Sequence, residues 1–181
     1  MLDKEKSKYL SRFGWTEDRI SEIPEYIDIK STPENVLRII KNLNRLKIED
    51  VDGYSREFKV HPAHIRDFDE EVIECVEDTG LNFEFYPLGA MSEQSGVLVV
   101  DKHGRFFLMG DELLFYGDNL DEFFDVVIFS ERSCISIREN GETFYCYNNK
   151  DTGVNFEVGS GWQGDKSRLT KKYILENEKK R

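Results

Sequence analysis

Cysteine is scarce in this sequence, and its spacing indicates neither a metal site nor a set of disulfides. The three cysteines, Cys75, Cys134 and Cys146, are odd in number and far apart along the chain. Structural zinc sites use closely spaced C-x-x-C pairs, and small disulfide-stapled domains use even sets of cysteines. The sequence therefore predicts no zinc site and no disulfide framework, and we expect no metal or cofactor.

Long hydrophobic runs are also absent. No run approaches the roughly 18 apolar residues of a membrane-spanning helix, and residues 1–8 are mostly charged, unlike a signal peptide. The apolar fraction of 39% and the thirteen phenylalanines are nevertheless typical of a folded domain. We therefore expect a folded cytoplasmic protein that does not bind membranes.

Basic residues are rare through the middle of the chain. Residues 67–125 contain 16 acidic residues and only two basic ones, Lys102 and Arg105, so this stretch carries −14 in a chain whose total is −11. Such a surface repels nucleic acid and anionic lipid, because both bind through lysine and arginine, and it attracts basic partners. A charged face that only keeps the protein soluble explains the same composition. Charge alone leaves both interpretations open.

Hydrophobic periodicity predicts an α+β fold. Helical patterns span residues 3–13, 33–44, 69–79 and 119–129. Strand patterns span residues 54–60, 83–88, 96–101, 105–109 and 113–116. Gly104 lies between two of these strands, where a tight turn needs a positive φ. Consecutive hairpins followed by a helix favour an antiparallel sheet of about four to six strands with helices packed on one side.

The C-terminal part of the chain has a different composition. Residues 133–162 hold many Tyr, Asn and Gly, with a hairpin pattern at residues 139–141. Residues 166–181 form a basic tail that is predicted to be helical. We therefore expect one α+β domain over residues 1–130 and a C-terminal appendage over residues 131–181.

The sequence offers few residues for catalysis. His61, His64, Asp67 and Asp69 lie close together, but they fall in an expected loop and fit no standard spacing of metal ligands. We interpret them as loop residues with local hydrogen bonds, and Cys75, on an apolar helix face, as a core residue. A small hydrolase that uses His61, His64 or Cys75 stays open as an alternative. No catalytic constellation is recognisable, which favours binding over catalysis.

The central strands carry a resemblance to a known family. Residues 85–89 read Phe-Tyr-Pro-Leu-Gly, and residues 101–108 read Asp-Lys-His-Gly-Arg-Phe-Phe-Leu. Together with the strand before the second motif and with residues 110–118, they resemble the core of the SUKH superfamily. The resemblance covers about residues 9–129 in order.

The beginning of the chain resembles the third SUKH subfamily of bacterial immunity proteins. Its members carry a Gly-Trp pair followed by Arg before the first long helix, and Gly14, Trp15 and Arg19 match that pattern. The Phe-Gly-Gly-Leu-like turn that members often carry is replaced by residues 41–46, which contain no glycine. Because Trp15 directly follows a glycine that ends a predicted helix, we expect its ring to be buried over the core.

The resemblance implies a function and a class of partner. Such immunity proteins bind and neutralise a polymorphic toxin encoded beside them in a bacterium, and the toxins are often nucleases or deaminases. A toxin that acts on nucleic acid has a basic active cleft, which the acidic stretch of this chain complements. The resemblance therefore implies a non-enzymatic cytoplasmic immunity protein whose partner is a basic toxin domain. An intracellular scaffold or regulatory binding protein of the same fold is the alternative.

Six carboxylates around the strand at residues 113–116 and the helix that follows are the candidate partner-binding residues. They are Asp111, Glu112, Asp118, Asp121, Glu122 and Asp125. Like charges held close together on a helix cost stability, which suggests that a basic partner relieves the repulsion. Ordinary solvation, and the favourable position of carboxylates near a helix N-terminus, explain the same residues without a partner.

Overall fold

In the described parts of the chain, ten strands form one antiparallel sheet in which each strand pairs with the next along the chain. The computed structural model describes residues 2–25, 27–59, 75–91 and 96–178. The strands are β1 (Leu46–Glu49), β2 (Ser55–Lys59), β3 (Phe85–Met91), β4 (Val97–Asp101), β5 (Phe106–Met109), β6 (Leu113–Gly117), β7 (Ile135–Ile137), β8 (Glu142–Tyr145), β9 (Lys150–Glu157) and β10 (Gly161–Trp162). The α-helices among these residues are α1 (Lys4–Ser11), α2 (Glu34–Leu43), α3 (Leu120–Val127) and α4 (Lys171–Glu178), and residues 75–77 are also helical. Short 3-10 helices span Glu139–Gly141 and Lys166–Leu169.

The central strands β4 and β5 are buried on both faces of the sheet. Every residue of the two strands is buried, and successive side chains of a strand point to opposite faces. In β5, Phe106 and Leu108 belong to a first core, whereas Phe107 and Met109 belong to a second. Each face therefore needs its own covering layer, since apolar surface left in water costs about 25 cal/mol per Å².

Helices α1, α2 and α3 cover the first core. Their side chains Leu10, Ile40 and Phe123 are each at most 1% exposed. Phe123 stacks on Phe106 of β5 with ring centroids 4.5 Å apart. The three helices share this core because each carries its apolar residues on one face, spaced three or four residues apart.

The C-terminal strands cover the second core. Phe156 of β9 is 1% exposed, and its ring centroid lies 5.2 Å from that of Phe115 and 5.8 Å from those of Phe83 and Phe107. Ile174 of α4 is buried in the same core. The sheet therefore curls so that its last strands face its central ones.

The predicted number of strands, four to six, is wrong, and so is the placement of the helices on one side. The sheet has ten strands, and α4 packs in the second core, on the other face from α1, α2 and α3. Strand β1 was not predicted because its four residues follow α2 after only two intervening residues. The hairpin predicted at residues 139–141 is confirmed as the connection between β7 and β8. Strand β9 was not predicted, because most of its residues are polar or charged.

Other predictions from periodicity are confirmed. The helices at residues 33–44 and 119–129 correspond to α2 and α3, and the central strands are consecutive and antiparallel. Gly104 has the expected positive φ, 85°. Of the helix predicted at residues 69–79, the part up to residue 74 lies outside the described residues. The division of the chain at residue 130 stays a prediction.

A non-glycine residue takes the left-handed conformation in the turn from α2 to β1. Arg45 has a φ of 60°, which costs about 1 kcal/mol for a residue with a Cβ. The side-chain amide of its neighbour Asn44 donates to the carbonyl oxygen of Glu22 at 3.1 Å. A hydrogen-bonded Asn and a strained Arg thus make the turn for which the resembling family uses glycines.

Trp15 closes the first core directly after α1. Its side chain is 2% exposed, as expected, and follows Gly14, whose φ is 81°. The ring meets that of Phe124 edge to face with centroids 5.4 Å apart. Its Nε1 donates to Oδ1 of the buried Asn42 at 2.6 Å. The indole therefore contacts α3 through its apolar ring and α2 through its polar N–H.

Replacing Trp15 should therefore destabilise the fold strongly. Trp15→Ala leaves a cavity and removes the donor to the Asn42 Oδ1, so we expect the free energy of unfolding to fall by about 3–5 kcal/mol in urea denaturation. Tyr147→Ala is the control, because that aromatic side chain is 49% exposed and should change stability little. Equal unfolding midpoints for Trp15→Ala and the wild type would contradict this role.

The contacts of Phe156 predict that the last strands unfold together with the central ones. Phe156→Ala should lower the free energy of unfolding by about 3–5 kcal/mol in one transition, seen alike by far-UV and near-UV circular dichroism. Phe144→Ala, at a half-buried position, should cost less. Two separate transitions, with only one sensitive to Phe156, would show instead that residues 131–181 unfold as an independent appendage.

Candidate partner-binding surface

The loop between α1 and α2 is fastened to the end of α2 through backbone carbonyls. The guanidinium of Arg19 donates to the carbonyl oxygens of Asn42 at 2.5 Å and Asn44 at 3.0 Å. The backbone amide of Ser21 donates to the carbonyl oxygen of Lys41 at 2.9 Å. The last carbonyls of a helix have no partner within the helix, so these contacts satisfy groups that otherwise need water. The loop is thereby held at residues 19 and 21.

Ile20 lies between these two anchored residues and is 80% exposed. Single exposed apolar side chains are common, but this one projects from a backbone that is fixed on both sides. Glu17, Asp18 and Glu22 flank it in sequence and are also exposed. Residues 16–22, which we call the Ile20 loop, therefore present one apolar side chain among carboxylates.

A cleft of about 570 Å³ lies between the Ile20 loop, α2 and the start of α3. Glu17 lines it from the loop, Asp118 and Asp121 line it from the start of α3, and Arg38 lines it from α2. A second cleft of about 570 Å³ is lined by Ile20 and shares Glu17 and Arg38 with the first. The two adjoining clefts connect part of the predicted carboxylate set to the Ile20 loop.

The structure places the six predicted carboxylates in two groups. Asp111 and Glu112 are exposed between β5 and β6, and Glu112 pairs with Arg138 at 3.3 Å. The other four, around the start of α3, are half-buried: Asp118, Asp121, Glu122 and Asp125. The expectation of one exposed cluster therefore describes only the first group.

Cations from the C-terminal part of the chain bind two of the half-buried carboxylates. Nζ of Lys166 lies 2.5 Å from Oδ2 of Asp118 and 2.8 Å from Oε1 of Glu122. Nη1 of Arg132 lies 3.1 Å from the same Glu122 oxygen. The other Glu122 oxygen, Oε2, accepts a hydrogen bond from the backbone amide of Asp118 at 2.9 Å.

Lys6, a cation from α1, binds a third of the half-buried carboxylates. Nζ of Lys6 lies 2.5 Å from Oδ1 of Asp125 and 2.5 Å from Oε2 of Glu131. The repulsion between the carboxylates is thus relieved within the chain. It no longer argues by itself for a basic partner at Glu122 and Asp125.

The surroundings of the two α3 carboxylates shift their pKa values in opposite directions. Burial acts to raise the pKa of Glu122, but hydrogen bonds from Lys166 and the Asp118 amide, with the charge of Arg132, outweigh it and hold that pKa below its usual value. Burial raises the pKa of Asp125 above its usual value despite Lys6. Ionised Glu122 is therefore a favourable part of the fold.

The described residues include some of the candidates for catalysis and all of the helices that can be compared with a membrane-spanning helix. In the described parts of the chain, no three His, Cys, Asp or Glu residues form a group that could hold a metal. His61, His64, Asp67 and Asp69 lie outside those parts. Cys75 is 8% exposed in the second core, which confirms its interpretation as a core residue. None of the described helices has the length and apolar character that a bilayer crossing requires.

Sequence reasoning missed Ile20, Glu17 and Asp18 as surface candidates. A loop has no periodic pattern, so a single isoleucine among polar residues gave no signal of exposure. The available signal was Arg19, whose place in the Gly-Trp–Arg pattern hinted at a structural role for the loop. Its contacts with the end of α2 could be seen only in three dimensions.

Comparison with known proteins gives one match. A family model described as SUKH-3 immunity protein matches residues 2–129. A search of curated proteins and a search of solved structures give no significant match. The matched residues contain Trp15, the Ile20 loop, both clefts and all six predicted carboxylates, and they end just after α3.

The lowered pKa of Glu122 predicts a pH-dependent contribution to stability. A carboxyl whose pKa is lower in the folded than in the unfolded protein stabilises the fold above its unfolded value of about 4.3, and this stabilisation is lost as pH falls through the folded value. Glu122→Gln should cost about 1 kcal/mol at pH 7 and much less at pH 3, measured by urea denaturation. The exposed Glu142→Gln is the control, and an equal cost for Glu122→Gln at both pH values would contradict the prediction.

Proposed function

The chain belongs to the SUKH-3 immunity protein family, and on that premise we propose that it binds and neutralises a cognate toxin domain and catalyses no reaction. The family model covers more than two thirds of the chain. The proposed partner is the C-terminal domain of a polymorphic toxin encoded beside this chain in a bacterium. The proposed site of action is the cytoplasm.

The charge of the chain supports a basic partner. The stretch of residues 67–125 carries a net −14, and the Ile20 loop adds the exposed carboxylates of Glu17, Asp18 and Glu22. Oppositely charged surfaces accelerate association and reject partners of the wrong charge. A nuclease or another toxin that acts on nucleic acid offers such a basic surface, because its own substrate is a polyanion.

One observation supports the proposed docking site: the side chain of Ile20 is exposed, and the residues on either side of it are held in place by hydrogen bonds. Binding energy at protein interfaces concentrates in a few side chains that fill pockets of the partner, and less freedom is lost when those side chains are held in place beforehand. Ile20 meets both conditions, because it is 80% exposed and the residues on each side of it are bonded to α2. We place it at the centre of the interface.

The predicted carboxylates enter the proposal unequally. Asp118 and Asp121 line the cleft next to the Ile20 loop and belong to the proposed interface, although Asp118 also pairs with Lys166. Asp111 and Glu112 are exposed and can attract a basic partner at longer range. Glu122 and Asp125 act mainly within the chain, through their ion pairs. Reversing their charges would therefore damage the fold as well as any interface.

Co-expression with the neighbouring toxin domain tests the function. Cells that produce the toxin domain should survive only when this chain is also produced, and the two proteins should form a complex on gel filtration. Survival without a complex, or turnover of a toxin product by this chain alone, would overturn the proposal that it neutralises by binding.

A substitution at Ile20 tests the docking site. Ile20→Asp should weaken toxin binding by about 30-fold, the equivalent of about 2 kcal/mol at a central interface residue, without changing the melting temperature. Ile29→Asp is a matched control, because Ile29 is 58% exposed but lines neither cleft. Calorimetric titration measures both variants. Unchanged affinity for Ile20→Asp would show that the toxin docks elsewhere, and it would not bear on the proposed function.

A further inference from the structure

Two cysteines that are distant in sequence lie opposite each other at one end of the β7–β8 pair, Cys134 just before β7 and Cys146 just after β8. Strands β7 and β8 pair with Ile135 opposite Tyr145, which places Cys134 opposite Cys146 one position further along. The backbone amide of Cys146 donates to the carbonyl oxygen of Cys134 at 3.2 Å. The spacing of the cysteines in sequence gave no reason to pair them, whereas the register of the hairpin does.

The geometry of this pair suits a disulfide. Opposite residues of an antiparallel pair put their side chains on the same face, and the Cα atoms of a hydrogen-bonded pair are about 5.5 Å apart. Disulfides span Cα distances of about 4.4–6.8 Å. The two side chains are close enough for each thiol to act on the pKa of the other. Closing an S–S bond therefore needs only small side-chain movements.

Small reagents can reach the two thiols. Cys146 is exposed and Cys134 is half-buried, and both line a recess of about 290 Å³. Arg56, Arg132 and Lys171 line the same recess. These cations favour an anionic reagent and a thiolate over a thiol.

The thiols differ in their readiness to ionise. The hydrogen bond from Cys146, helped by the charge of Lys171, outweighs burial and lowers the pKa of Cys134. The same hydrogen bond, together with burial, raises the pKa of Cys146. We therefore assign the first attack to Cys134 and the resolving step to Cys146.

We propose that Cys134 and Cys146 form a reversible disulfide by exchange with a small anionic disulfide such as oxidised glutathione. The Cys134 thiolate attacks one sulfur of the reagent, forms a mixed disulfide and releases one glutathione thiolate. Cys146 then gives its proton to a released thiolate, attacks Sγ of Cys134 and displaces the second glutathione. The second glutathione leaves as a thiolate and takes up from water the proton that Cys134 lost when it ionised. In total the protein loses two electrons and two protons, and one oxidised glutathione becomes two reduced ones.

This disulfide does not depend on the proposed toxin. It would link β7 to β8 within the part of the chain that follows the family match, which ends at residue 129. It would restrict the unfolded chain across residues 134–146 and so raise the melting temperature of the oxidised protein. The third cysteine, Cys75, lies buried in the other core and should not take part.

The test uses the full-length, fully reduced protein and oxidised glutathione. After quenching by acid and alkylation under denaturing conditions, mass spectrometry should show that Cys134 and Cys146 lose their free thiols together. Peptide mapping should find the two joined and Cys75 alkylated. Joined Cys134–Cys146 peptides within one chain support the proposal. No loss of thiols in excess reagent, or a stable glutathione adduct on the wild type, would overturn it.

Three variants separate the roles. Cys146→Ser should stop at a mixed disulfide between glutathione and Cys134, because the resolving thiol is missing. Cys134→Ser should react far more slowly, and Cys75→Ser should form the disulfide as the wild type does. Circular dichroism confirms that each variant is folded. A Cys134→Ser variant that takes up glutathione as fast as Cys146→Ser would refute the assignment of Cys134 as the attacking thiol.

Discussion

The burial of β4 and β5 on both faces is the constraint on which the rest of the architecture depends. Neighbouring residues of one strand, such as Phe106 and Phe107, face different cores, so neither face of the sheet can be left to water. Helices α1 to α3 cover one face. The other face is covered by β9 and β10, which the curled sheet brings against its centre, together with α4. The chain after the family match thus supplies much of the layer over the second core, to which Cys75 and Val76 of the matched part also belong.

Ion pairs, like the apolar contacts, join α3 to the N-terminal and C-terminal parts of the chain. Residues 67–125 hold almost no cations of their own, and the cations that offset α3 come from Lys6, Arg132 and Lys166. Residues from the N-terminal and C-terminal parts of the chain therefore form ion pairs with carboxylates of the α3 region. Of the described carboxylates, Glu122 and Asp125 are therefore engaged within the chain, whereas Glu17 and Asp18 are exposed beside the clefts.

Sequence patterns predicted those helices and strands whose formation depends mainly on residues close together in the chain. The run from β3 to β6 is joined by turns such as the one at Gly104, and the helices α2 and α3 have one apolar face each, so a short window of sequence was enough. The fold of the last strands was not predictable in this way, because Phe156 gains its partners only once the sheet curls. At the candidate surface, Asp118 and Asp121 were found from sequence. The internal pairing of Glu122 was not, because Lys166 is 44 residues away. The meeting of Cys134 with Cys146 likewise depends on register, which periodicity does not determine.

The attachment of the Ile20 loop has a consequence for how this protein can evolve. Arg19 and Ser21 hold the loop through main-chain oxygens of α2, which every amino acid possesses, and the side chain of Ile20 takes no part in that attachment. Position 20 can therefore change without removing the hydrogen bonds that hold the loop. If the proposed toxin changes the surface that receives this side chain, a substitution at this single position can restore the fit while the fold stays the same.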